Sequence, residues 1–355
     1  MSGHRRRGAS AGGHDRAGLL DELGRTPFRP AWWARSGLVQ TLLASRRPAV
    51  GPGLRCEVWP TPDGDELRLH FADPAQAAAP TLLLLHGLEG SRESGYVVET
   101  AGLARALGWR LAVLEFRSCG GVMNRALRTY HSGETGDLAF VAARLASRHA
   151  GSPLLAIGFS LGGNVLLKWL GESPPQVPAN LCAAAAVSAP FDLEVAARRC
   201  DSRHGGAIAR HFLRTLIPKA IAKERQFPGC IDAVAVRRCR SFAAFDDLVT
   251  APLHGFRDAS DYWRRSSCAQ FLPAVCVPTV LIAAADDPLV PGSVLPHDAV
   301  AASSVLVPQF TPHGGHVGFV AGGWPWRTRR WAESQALRFL ARHVAPGEPA
   351  EAATR

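Results

Sequence analysis

The residues "LLAIGFSLGGNVLLKWL", Leu154 to Leu170, carry the strongest structural signal in the chain. An apolar run leads into Gly158-Phe159-Ser160-Leu161-Gly162-Gly163, and helix-forming residues follow. One serine therefore stands between a buried-strand pattern and a helix start, among neighbours that lack side chains. In a Gly-x-Ser-x-Gly sequence at such a junction, the serine occupies a sharp, strained turn that lifts its hydroxyl above the sheet. The flanking glycines let the backbones pass closely. The helix start adds backbone N–H groups and a positive dipole end beside that hydroxyl, which suits a developing oxyanion. Ser160 is the candidate nucleophile, and the competing role is a plain helix cap.

The surrounding sequence repeats the same alternation. Apolar runs with strand character lie at 54–59, 66–71, 81–86, 110–116, 153–159, 183–189, 279–285 and 304–310. From the third onward most are almost continuously apolar, as strands buried on both faces of a parallel sheet must be. Helical segments at 97–107, 135–149, 161–171 and 326–343 fall between them, which implies parallel crossovers and an α/β class. Residues 191–277 break the rhythm, with "GGAIARHFLRTLIPKAIAKE" and other helical pieces. A structureless loop of that length does not suit a compact domain, so this segment reads as a helical cap. The expected architecture is a mostly parallel eight-stranded sheet flanked by helices, with the cap inserted between strands 6 and 7. Its core spans 26–190 and 278–343. Residues 1–25 read as a flexible basic tail and 344–355 as a second flexible tail.

A serine hydroxyl needs a base to take its proton and usually a carboxylate to orient that base. In this fold order both come later. "TVLIAAADDPLVP" ends a strand with Asp286 and Asp287, and "TPHGGHVGF" follows the next strand with His313 and His316. Both pairs lie at strand carboxyl ends, the edge where Ser160 sits. Asp287 is favoured because it begins an Asp-Pro-x-Val-Pro turn that can point the carboxylate back at the site. His316 is favoured because two glycines free its loop to reach over the serine. The oxyanion donors are the backbone N–H of Leu161 and, from the turn in "LLLLHGLEGS", that of Leu88. His86 reads as a hydrogen-bonded residue of that turn.

Composition narrows the remaining classes. The 355 residues are 47% hydrophobic and 20% charged, and no apolar run reaches the roughly 18 residues of a membrane-spanning helix. The N-terminus "MSGHRRRGASAGGHDRAG" lacks the apolar segment of a signal peptide, so a soluble, cytoplasmic protein is expected. Eight cysteines without a Cys-x-x-Cys pair indicate neither a zinc site nor a disulfide framework. The net charge of +10 is spread along the chain, which argues against a specific nucleic-acid stripe and for a weak preference for anionic surfaces. Trp32, Trp33, Trp324 and Trp326 stand beside arginines, a pattern that either packs under the cap or meets a membrane interface.

With these residues in hand, the chain resembles an α/β-hydrolase, and more narrowly the YheT-like branch, the fourth family of AB hydrolases. The resemblance covers roughly residues 26–343. It rests on "HGLEGSRESGY", "FRSCGGVMNRALRTYHSGETGDL", "GFSLGGNVLLKWL", "VSAPFDL", "FDDLVTAPLHGFRDASDYWRRSS", "ADDPLVP" and "HGGHVGF", with "PFRPAWWARSGLVQT" near the start. It places Ser160, Asp287 and His316 at the family's charge-relay positions. It implies hydrolysis of carboxylic esters, with acylglycerols and phospholipids among the substrates of some members. The chain has "RSCGG" where the family commonly has Arg-Gly-Cys-x-Gly, "RSGLVQT" for Asn-x-His-Leu-Gln-Thr, and Tyr262-Trp263 for Tyr-Tyr. These departures bear on pocket shape, not on the triad.

The other family-like residues take structural readings. Arg117 is expected as a buried structural arginine and Cys119 as an inert thiol. Tyr130, His131, Ser132 and Glu134 should organise a loop and cap the next helix. Asp246 and Asp247 should cap helices, since no further metal ligands with suitable spacing accompany them. The reading is a serine esterase that needs no cofactor or metal and acts on a small-molecule ester with a hydrophobic acyl chain. An acyltransferase using the same acyl-enzyme, or a noncatalytic ligand receptor, are the alternatives.

Overall fold

The expected strands are all present in a computed structural model of the chain, which describes residues 16–44, 53–74, 76–202 and 206–344. They are β1 (Arg55–Pro60), β2 (Glu66–Ala72), β3 (Thr81–Leu85), β4 (Arg110–Glu115), β5 (Leu154–Phe159), β6 (Leu181–Val187), β7 (Thr279–Ala284) and β8 (Leu306–Thr311). They form one eight-stranded sheet in the order β1-β2-β4-β3-β5-β6-β7-β8. Pairing is antiparallel from β1 to β2 and β2 to β4, and parallel from there onward. β3, β4, β5 and β7 are buried along their whole length, which is why their sequences do not alternate. Pro60 and Pro308 lie in β1 and β8, the two edge strands, where a missing N–H breaks no central ladder.

Helices cover both faces. One face packs on α4 (Gly136–Arg148) and α5 (Leu161–Glu172) through residues such as Val141, Leu145, Val165 and Leu166. The other packs on α3 (Gly95–Ala106) and α13 (Trp331–Ala341) through Val97, Ala101, Ala336 and Phe339. Each fully buried leucine or valine contributes about 2 kcal/mol relative to exposure, so these two layers fix the sheet.

Between β6 and β7 lie α6 (Leu193–Asp201), α7 (Gly206–Gln226), α8 (Ala233–Arg237), α9 (Phe242–Phe245), a π-helical turn (Asp246–Thr250), α10 (Ala251–His254) and α11 (Ala259–Ser266). Part of this insert has its own core of Leu213, Ile221, Val236, Phe245 and Val249. It is tethered to the loop after β4 by Lys223, whose buried ammonium donates to the carbonyls of Asn124 at 2.7 Å and Ala126 at 2.6 Å. After it come α12 (His297–Ala302) and the short strands β9 (Val320–Ala321) and β10 (Arg329–Arg330).

Two expectations need correction. Residues 16–24, read as part of a flexible basic tail, form helix α1 (Arg16–Gly24), whose Leu23 is buried and packs with the α3/α13 layer. Residues 1–15 and 345–355 of the expected tails lie outside the described residues. The closing helix begins at Trp331 and not at 326, because β10 pairs antiparallel with β9 and holds the preceding residues extended.

Candidate active site

Ser160 sits where β5 meets α5 with φ 51° and ψ −119°. For a residue with a side chain, such a conformation costs on the order of 1–3 kcal/mol and persists only where the surroundings impose it. Here the close backbone packing that the glycines permit imposes it. A Cβ on Gly158 would lie 2.3 Å from the Gly162 carbonyl oxygen, and one on Gly162 would lie 2.5 Å from that of His86. The Ser160 hydroxyl makes no capping hydrogen bond to α5, which removes the helix-cap alternative.

The candidate acid and base arrive from the ends of β7 and β8. His316 Nε2 lies 2.7 Å from Ser160 Oγ, and His316 Nδ1 lies 2.8 Å from Asp287 Oδ2. Asp287 Oδ1 is already occupied, accepting from the N–H of Leu289 at 2.8 Å and of Val290 at 3.0 Å. These bonds fix the carboxylate plane and leave Oδ2 for the imidazole. An ionised carboxylate only accepts, so Nδ1 carries the hydrogen and Nε2 offers a lone pair to the serine. Asp287 is 4% and His316 9% exposed, a largely dry setting in which this chain of bonds is not competed away by water.

The competing residues of each pair lie together elsewhere. His313 Nδ1 is 3.3 Å from Asp286 Oδ2 at the solvent rim, and Asp286 Oδ1 accepts from the Gly315 N–H at 2.9 Å. Asp286 thus anchors the histidine loop from outside.

The turn after β3 is pinned on both sides of Leu88. Gly87 N–H donates to the Tyr96 hydroxyl at 2.8 Å, and Glu89 N–H donates to that of Tyr130 at 2.9 Å. The N–H groups of Leu88 and Leu161 meet no acceptor among the described residues, and both residues border the cleft that holds Ser160 and His316. His86 is buried in the turn. Its Nε2 accepts from the Phe116 N–H at 3.2 Å, its Nδ1 lies 2.8 Å from the Gly87 carbonyl, and burial pushes its pKa down to about 4. It is a neutral, structural imidazole.

Two residues that the sequence reading did not single out hold the histidine loop from behind. In α2 (Gly37–Ala44), Thr41 Oγ1 accepts from the His316 N–H at 2.9 Å and donates to the Gly37 carbonyl at 2.7 Å. Buried Gln40 accepts from the Val320 N–H at 2.6 Å and donates to the carbonyls of Ala34 at 2.6 Å and Val320 at 3.1 Å. The signal was present: Gln-Thr is the part of "RSGLVQT" that keeps the family pattern.

The cleft beside Ser160 has a volume of about 610 Å³ counted to its open mouth. Its walls are mostly apolar, from Ala196, Ala197 and Cys200 of α6, Phe212 of α7, and Trp263. A second hollow of about 710 Å³ shares Leu88, Leu161, Asp246 and Tyr262 with it and runs beneath α7. Asp246 was expected to cap a helix. Instead it stands between the two hollows, accepting from Thr250 Oγ1 at 2.6 Å and Trp263 Nε1 at 2.8 Å, and burial raises its pKa to about 7. The Tyr-Trp departure thus supplies one of its donors. Asp247 accepts from the Ala259 N–H at 2.7 Å in the first turn of α11, whose N-cap residue is Asp258.

The remaining structural readings agree with the geometry. Arg117 lies buried against Asp137, with two bonds of 2.7 Å, and against Asp65 at 2.8 Å. Burial pushes the Cys119 thiol up to about 12. Glu134 accepts from the Gly136 N–H at 2.8 Å at the start of α4. His131 and Ser132 border the second hollow as well as organising their loop. Ser118, which replaces the family glycine, keeps a glycine-like φ of 63°, with its hydroxyl donating to Asn124 Oδ1 at 2.6 Å.

Comparison with known proteins places this geometry in context. A model of the α/β-hydrolase fold matches residues 80–323. "Putative esterase YheT" of Escherichia coli K12 is 37% identical over 287 residues, covering 80% of this chain and 83% of that protein. "Phospholipase ABHD3" of Mus musculus is 30% identical over 309 residues, covering 84% and 74%. "Monoacylglycerol lipase" of Saccharomyces cerevisiae is 28% identical over 272 residues, covering 74% and 59%. Among solved structures, the Pyrococcus furiosus esterase Pf2001 shares the fold, with a TM-score of 0.55 at 17% identity over 83% of this chain and 96% of that one. The sheet order, the strained serine between β5 and α5, and these matches make one statement: the chain belongs to the α/β-hydrolase family, in the branch that contains YheT.

Proposed function

We propose that the protein is a serine hydrolase that cleaves carboxylic esters. The observation that carries this reading is the unbroken line from Asp287 Oδ2 to His316 to Ser160 Oγ, at 2.8 Å and 2.7 Å. His316 Nε2 takes the serine proton as Oγ attacks the ester carbonyl, and the N–H groups of Leu88 and Leu161 receive the oxyanion. Asp287 holds the tautomer and stabilises the imidazolium. His316 then protonates the leaving alcohol, and water releases the acyl group from Ser160 by the same steps.

The apolar walls beside Ser160 favour an ester with a hydrophobic acyl chain, from short to medium length or of acylglycerol type. The names of the relatives, an esterase, a phospholipase and a monoacylglycerol lipase, support a lipid-like ester. The test is labelling with a fluorophosphonate probe, wild type against Ser160→Ala, followed by turnover of an ester panel graded by chain length. Labelling of the wild type alone, with turnover, is the expected result. Labelling without turnover of any ester would instead point to acyl transfer, and absence of labelling to a ligand receptor.

A further inference from the structure

Two segments around the histidine loop share an unusual composition. Neither the stretch between Glu22 and Glu57 nor that between Asp298 and Glu333 contains a single Asp or Glu. The fold brings them together. Pro30 bridges Ala321, Ala31 N–H donates to the Val320 carbonyl at 3.1 Å, and Trp32 Nε1 donates to that of Gly323 at 2.6 Å.

The outer side of this junction is aromatic. Trp32 meets Trp324 edge-on at 6.2 Å, and Trp324 stacks on Trp326 at 5.4 Å. These rings are 60%, 53% and 76% exposed, whereas Trp33 is only half-buried and turns its indole nitrogen inward. Helix α2 belongs to the same stretch and divides its faces. Gly37, Gln40 and Ala44 are buried, while Leu38, Val39 and Leu42 are exposed. Arg29, Arg35, Arg327 and Arg329 are exposed in the same two segments.

Single exposed apolar residues are ordinary, but three touching indoles, with exposed Leu38, Val39 and Leu42 in the same segment as Trp32, are not. Indole suits the boundary between water and hydrocarbon, being apolar in body and polar at one edge. Arginines without any neighbouring carboxylate in the same segments suit anionic headgroups. A nucleic acid would match the arginines and could stack on the indoles, but it offers nothing to Leu38 and Leu42.

We propose that this face docks the protein peripherally on anionic membranes, with Trp324 and Trp326 entering the headgroup layer and the arginines lying against lipid phosphates. The docking does not depend on the ester chemistry. It places the bilayer against the outer side of α2, whose inner side holds His316.

The test is co-sedimentation of the full chain with vesicles of phosphatidylcholine alone and of equal parts phosphatidylcholine and phosphatidylglycerol, at low and high salt. The expected result is binding to the mixed vesicles that weakens with salt. Trp324→Ser with Trp326→Ser should lower the partition coefficient about tenfold or more. Arg327→Gln with Arg329→Gln should lower it about 25-fold, roughly fivefold per arginine. All four side chains are exposed, and unchanged thermal melting verifies that the variants are folded. The proposal is overturned if the wild type stays in the supernatant of the mixed vesicles, or if the tryptophan variant sediments as well as the wild type. Tryptophan-dependent retention on immobilised DNA that exceeds vesicle binding also overturns it.

Discussion

Replacing Asp287 by asparagine changes one atom and tests the whole proton path. The side-chain oxygen of the substituted amide would keep the two bonds from Leu289 and Val290, now at 2.8 Å and 3.0 Å, because only an acceptor can satisfy them. The amide NH₂ must then face His316 Nδ1, 2.8 Å from the carboxylate in the wild type. A donor at that place forces Nδ1 to accept, so the ring hydrogen moves to Nε2 and points at Ser160 Oγ. The base is then in the wrong tautomer, and the imidazolium has lost its counter-charge. Such a change lowers kcat about 10⁴-fold, roughly 5.5 kcal/mol of transition-state stabilisation. Folding stability should change little, since both bonds now made to Asp287 Oδ1 survive. The assay is the rate of fluorophosphonate labelling and of p-nitrophenyl ester turnover, with thermal melting alongside. Activity within tenfold of wild type, at unchanged stability, would refute the assignment of Asp287 as the group that sets the tautomer.

Three further outcomes are expected. Thr41→Val removes the acceptor of the His316 N–H, and should lower kcat about tenfold to a hundredfold with little change in KM, while Thr41→Ser restores it; steady-state kinetics on one ester decides. Asp246, pushed up to about 7 by burial, is neutral at lower pH and becomes an anion beside the acyl cleft above it. KM for an apolar ester should therefore rise about fivefold between pH 6 and pH 8, and Asp246→Asn should flatten that profile. Glu333 is fully buried without a hydrogen-bond partner, and burial raises its pKa to about 7. The folded state then keeps a proton that the unfolded chain has released, so stability is lost as pH rises from the ordinary carboxyl range through about 7. Glu333→Gln should remove that slope, a relative gain on the order of 3 kcal/mol at pH 8 that is absent at low pH, read from thermal melts at both values.

Much of this fold was legible because its main signals are local. Buried parallel strands leave continuous apolar runs, and the strained turn at Ser160 needs glycines that nothing else explains. The order of serine, acid and histidine follows from a sheet whose strand ends share one edge. What could not be read locally depends on partners distant in the chain. The Gly- and Arg-rich N-terminal composition hid α1, whose place is set by Leu23 docking on the layer of α3 and α13. β9 and β10 are two residues long and carry no periodicity, so the approach to α13 resembled helix. Asp246 looked like a cap because its donors, Thr250 and Trp263, meet it only through a π-helical turn and the packing of α11. Gln40 and Thr41 were inconspicuous in a short apolar helix until the loop at 313–320 closed over them.

That last closure has a bearing on biogenesis. Thr41 and His316 are 275 positions apart, so the base cannot settle until synthesis has passed residue 316 and these two distant segments have met. Loop-closure entropy makes such a remote encounter slow compared with local helix formation. Hydrolytic competence should thus emerge late in folding, and a nascent chain arrested short of the histidine would be inert, lacking both its base and the α13 layer that covers one face of the sheet.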